Sequence, residues 1–131
     1  MAKTYDTEQQ RHEAWRKGML AKAEAALSDH SEAYRAQMLE YYRRTFDLPP
    51  EYLPYGHYVY GETLVMIIKS RTSGLKVVAR KFKPETQYQE IAHTFMSKIE
   101  ADKDGEAEEI TEDDFLLLCL AQAARLRAAR S

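Results

Sequence analysis

Residues 63–83 read TLVMIIKSRTSGLKVVARKFK, and this stretch decides the fold class. Thr63 to Ile68 is apolar and rich in β-branched side chains, and Leu75 to Phe82 resumes the pattern. Such residues suit a pleated, half-buried surface better than a helix. Ser70-Arg71-Thr72-Ser73-Gly74 separates the two runs, with Gly74 free to take a positive φ, so the spacing predicts a β-hairpin. Leu64-Val65-Met66-Ile67-Ile68 does not alternate apolar with polar, and a strand of that kind needs cover on both faces. Helices are expected to supply one cover and a partner chain the other.

The segments on either side read as helical. Thr7 with Gln10 forms a capping-box pattern, and Trp15, Met19, Ala23, Ala26 and Leu27 then recur at helical spacing. Asp29 with Glu32 repeats the pattern before a second helix whose apolar face is Tyr34, Met38, Tyr41, Tyr42 and Phe46. Pro49-Pro50 ends this region, and residues 51–61, with four tyrosines, Pro54, Gly56 and Gly61, read as an aromatic loop leading into the hairpin or adding a third strand. Pro84 suits the first turn of a third helix, with Tyr88, Ile91, Ala92, Phe95 and Ile99 on its buried face. Thr111 caps a fourth, with Asp114 at its third position and Ile110 stapled onto Phe115.

The expectation is therefore an α+β fold, mostly helical, in the order helix-helix-β-hairpin-helix-helix. Its small antiparallel sheet is packed on helices or completed by a partner chain. The 131 residues suit a single domain, with N-terminal helices at 1–47, the aromatic loop and basic hairpin at 51–83, and C-terminal helices at 84–131 around an acidic linker at 101–109. The expected core is Trp15, Met38, Leu64, Met66, Ile68, Val77, Ile91, Phe95, Phe115 and Leu118.

Composition narrows the function classes. A hydrophobic fraction of 44% with 31% charged residues is that of a globular domain, and a formal net charge of −2 argues against a general polyanion binder. The one cysteine, Cys119, lies in an apolar run and reads as a buried hydrophobe. The polar N-terminus has no secretory pattern and no apolar run is long enough for a membrane span, so a cytoplasmic setting is expected.

Charge is segregated. The hairpin carries Lys69, Arg71, Lys76, Arg80, Lys81 and Lys83 and no acidic residue, whereas Glu100 to Asp114 holds nine acidic residues and one lysine. Lys69, Arg71, Lys76, Arg80 and Lys81, with Tyr58 and Tyr60 beside them, form the candidate surface for a partner or an anion. Cations on a β-ribbon can grip phosphates and tyrosines can stack on bases, but lysines on a strand also simply discourage edge pairing. Glu100-Ala101-Asp102-Lys103-Asp104-Gly105 resembles half of a calcium loop, yet the twelfth position is Thr111 where a glutamate is needed. The four histidines are dispersed; His57, in Tyr55-Gly56-His57-Tyr58, is the one with aromatic company in a loop. No phosphate loop, nucleophile elbow or metal-spacing pair is present.

These features point to a non-enzymatic binding protein acting through protein contacts, of the adaptor or inhibitor kind, with no catalytic residues, metal or cofactor. Another protein and a second copy of the chain are the expected partners, and no membrane is expected. A nucleic-acid module using residues 63–83, or a sequestering protein for a small phosphorylated ligand, stands as the alternative.

Overall fold

The computed structural model describes residues 4–102 and 105–130, with side chains from residue 9 onward. In chain order the elements are α1 (Thr4–Ala26), α2 (Glu32–Thr45), β1 (Tyr52–Tyr60), β2 (Thr63–Ser70), β3 (Lys76–Lys83), β4 (Tyr88–Ile91), α3 (His93–Ala101), β5 (Ala107–Ile110) and α4 (Glu112–Arg130). The five strands form one antiparallel sheet in the order β4-β3-β2-β1-β5.

The central strand explains the layering. Along β2, Leu64, Met66 and Ile68 join a core with Leu27 just after α1, Tyr42 and Phe46 at the end of α2, and Phe115 and Leu120 of α4. The alternate residues Val65 and Ile67 turn the other way, onto Ile99, Phe95 and Met96 of α3. The unalternated run is thus sandwiched, as its sequence requires. The second cover comes from α3 of the same chain, not from a partner chain.

The anticipated fold needs correction on this point and on four others. The small hairpin is the middle of a five-stranded sheet. Residues 51–61 are not a loop: β1 pairs along the length of β2, with an irregularity between Pro54 and Gly56. The tertiary amide of Pro54 is tolerated because β5 pairs only with His57 to Tyr60, leaving β1 without an outer neighbour there. The third helix starts at His93, because residues 84–87 turn the chain and Tyr88–Ile91 pairs with β3 as β4. Part of the acidic segment, Ala107–Ile110, is strand β5 at the far edge, and Asp102 prepares it by accepting a hydrogen bond at Oδ1 from the Ala107 amide at 3.0 Å.

Local signals account for most boundaries. Gly61, at φ 62°, is the first central residue of the two-residue β1–β2 turn, the place where a II′ turn needs glycine. Gly74 takes φ 73° in the β2–β3 loop. Helix α4 is capped as expected, with the Asp114 amide donating to Thr111 Oγ1 at 3.1 Å. Helix α1 already runs from Thr4, so Thr7 lies inside it, and α2 is capped by Ser31, whose Oγ accepts from the Tyr34 amide at 3.1 Å. Of the expected core, Leu64, Met66, Ile68, Phe115 and Leu118 are buried, and Trp15, Met38 and Phe95 are half-buried. Val77 and Ile91 are exposed, at 42% and 61%, because both lie at the open border of the sheet rather than under a helix.

Candidate functional site

Strand parity sorts the cationic candidates. Lys81 shares a face with Ala79, which packs toward α3, while Arg80 shares the opposite face with Val78 and Phe82 beneath α1, α2 and α4. Tyr58 and Tyr60 pack on the α3 side. Lys69 stands opposite Lys76 in the β2–β3 register. Tyr58, Tyr60, Lys69, Lys76 and Lys81 therefore gather around α3, Arg80 is separated from them by the sheet, and Arg71 sits in the β2–β3 loop. Burial makes the charged form of Arg80 costlier and lowers its pKa from the usual arginine range.

Three lysines of the hairpin have carboxylate neighbours. Lys76 Nζ lies 3.4 Å from Glu100 and 4.8 Å over the ring of Tyr55. Lys81 and Lys83 both reach Glu90 of β4, at 3.7 and 3.4 Å. Much of the cationic hairpin is thus matched inside the molecule. Glu100 opens the acidic run, so one contact does join that run to the hairpin. Of the half calcium loop, Lys103 and Asp104 lie outside the described residues. Among the described residues no cluster of histidine, cysteine or carboxylate side chains could hold a metal ion.

The sheet has one bare border. Strand β4 pairs only with Arg80 to Lys83, so the first half of β3, Lys76 to Ala79, has no outer strand, although the Ala92 amide donates to Ala79 O at 2.8 Å. Along this stepped border Leu75, Val77, Tyr88 and Ile91 are exposed, at 67%, 42%, 55% and 61%. At the other border β5 is fastened to α1, His12 Nδ1 lying 2.6 Å from Glu108, and the start of α4 is fastened there too, Arg16 Nε donating to Asp114 Oδ2 at 2.8 Å.

Sequence reasoning missed a cleft of about 300 Å³ between the α2–β1 loop, β1 and the start of α4. Its polar residues are Arg43, Asp47, Tyr52, His57, Arg71 and Glu112. His57 is 9% exposed, with its ring 4.9 Å from that of Phe115. Burial pushes its pKa below the ordinary histidine value, opposed by the nearby Glu112 carboxylate. His57 was legible as an aromatic-flanked histidine; Arg43, Arg71 and Glu112 are too far apart in the chain for any spacing rule to unite them. A wider depression of about 790 Å³ lies where the β1–β2 and β3–β4 turns meet α1 and α4, with Lys22, Lys83 and Arg125 on its rim.

No helix among the described residues is long and apolar enough to cross a membrane. No family model, no curated protein and no solved structure matches this chain.

Proposed function

We propose that this chain is a non-enzymatic binding protein that acts through protein–protein contacts, and that it self-associates through the β3–β4 border of its sheet. The observation that carries this reading is the pairing of free strand edge with exposed Leu75, Val77, Tyr88 and Ile91. Unpaired backbone amides and carbonyls beside apolar side chains are a template for another strand. A second copy suits this border. Antiparallel pairing of β4 about its own centre sets Tyr88 against Ile91 of the second copy and Gln89 against Glu90, with no like charges opposed.

Light scattering at micromolar concentration tests this. The expected mass is twice the 15.2 kDa of one chain. Ile91→Lys and Val77→Lys, which place charge on exposed positions, should return it to one chain mass with the fold unchanged. A single-chain mass for the unaltered protein removes the self-association. Full capture of partner proteins by both variants removes the border as the contact surface.

A further inference from the structure

The cleft above His57 has the make-up of a ligand site. Its volume of about 300 Å³ is at the small end of sites that hold organic molecules. Most of its wall is apolar, including Phe46, Leu48, Leu53, Met66 and Leu116. A few polar groups converge on this apolar space, the usual arrangement for fixing the orientation of a small molecule.

Two of those groups have unused bonding capacity. His57 is nine-tenths buried and lines the cleft, yet its imidazole makes no hydrogen bond to any described residue. An imidazole that lines a cleft in this way is free to bond to what enters it. Arg71 is held in place by its own backbone amide, which donates to Glu51 O at 2.9 Å, and by Nε, which donates to Pro50 O at 2.8 Å. Those bonds leave the two terminal nitrogens of the guanidinium, and no described carboxylate pairs with them. Arg43 differs: Glu40, Glu112 and Asp113 surround it at 3.4, 4.0 and 3.2 Å. The cleft thus offers one uncommitted cation, one uncommitted imidazole and an apolar floor.

We infer that this cleft binds a small organic anion with an apolar, ring-sized body, its oxyanion head held by Arg71 and His57 and its body against Phe115 and Met66. A guanidinium with two free nitrogens matches an oxyanion in a bidentate manner, and a neutral imidazole adds one N–H donor. Asp47 and Glu112 repel a second negative charge, so the fit is to a monoanion.

Titration of the intact protein with benzoate, phenyl phosphate and benzyl alcohol, followed by the imidazole and amide NMR signals, tests this. Benzoate should give saturable shifts at His57, Leu53 and Leu116, and should raise the His57 pKa by placing a negative charge beside it. The charged and titratable groups that line the cleft with it are Arg43 of α2, Asp47, Tyr52, Arg71 and Glu112, so the pKa is followed with and without ligand in the same protein. Benzyl alcohol, equal in shape and uncharged, should bind at least about tenfold more weakly. Arg71→Gln, at an exposed loop position, should weaken benzoate by a similar factor while amide signals away from the cleft stay in place. Tighter binding of phenyl phosphate, largely a dianion at neutral pH, than of benzoate overturns the fit to a monoanion. Equal binding of benzyl alcohol, an unmoved His57 pKa, or no saturable shift with either anion overturns the inference.

Discussion

The hydroxyl of Tyr42, on a fully buried ring of α2, donates to Oε1 of Gln87 in the β3–β4 turn at 2.8 Å. Burial raises the phenol pKa above its ordinary range, so the group stays a donor through all ordinary pH values. Gln87 accepts this bond from a left-handed backbone at φ 61°, a conformation that disfavours side chains. Tyr42→Phe should cost about 1 kcal/mol, with the ring stack on Phe46 retained. Gln87→Gly should come out near zero, because relief of the backbone offsets loss of the bond. Denaturant unfolding of the two single variants and the double variant checks both values, and a coupling below about 0.5 kcal/mol would show that the bond contributes nothing.

Two phenylalanines separate the layers of the core. Phe115 is 1% exposed and touches Phe46 edge-on and His57 at a tilt. Phe95 is half-buried, with Tyr60 at 5.8 Å and Lys98 above its ring. Phe115→Ala should cost about 3–5 kcal/mol and Phe95→Ala about 1–3 kcal/mol in equilibrium unfolding. The reverse ranking would mean that the α3 layer, not the three-helix layer, holds the sheet.

How far the fold could be read from the chain depended on which force set each element. Leu64 to Ile68 announced a doubly covered strand because apolar side chains on both faces leave no alternation, and Thr111 announced α4 because a hydroxyl there satisfies an orphan amide. Strands β4 and β5 were hidden. Tyr88–Ile91 and Ala107–Ile110 are four residues each and carry glutamate or glutamine, so local propensity says little. Their hydrogen-bonding neighbours β3 and β1 make them strands, and that is long-range information. Ile91 shows the consequence: its spacing to Phe95 looks helical, yet it ends an edge strand and faces outward. The cationic residues were legible as a group, but their division between two faces and a loop follows from register. The cleft was legible only through His57.

Acid should weaken the fold through that histidine. Burial holds the folded pKa of His57 below the ordinary value of 6.5. In the window between the lowered and ordinary values the unfolded chain binds a proton that the folded chain does not. The contribution is therefore fully present above about pH 6.5 and declines as pH falls through the window. His57→Gln should flatten the fall in unfolding free energy over that range. An unchanged slope would assign the acid sensitivity to other groups.

Cys119 should be chemically silent in the folded protein. It is 0% exposed, and burial raises its thiol pKa well above the ordinary value, which removes both access and thiolate. A chromogenic disulfide reagent should label it only in denaturant. Rapid labelling of the native protein would reveal an opening of α4 away from the sheet.

The unequal borders of the sheet also bear on how far assembly can run. One side is dressed, with β5 tied to α1 through Glu108 and His12; the other is bare along β3 and β4. An isologous pair uses the bare side of both copies and leaves only dressed sides outward. Growth of the proposed pair would then stop at two. A sheet with both borders bare could add copies without limit and run on into a ribbon, so the contact between His12 and Glu108 would act as a terminator as well as a local tie.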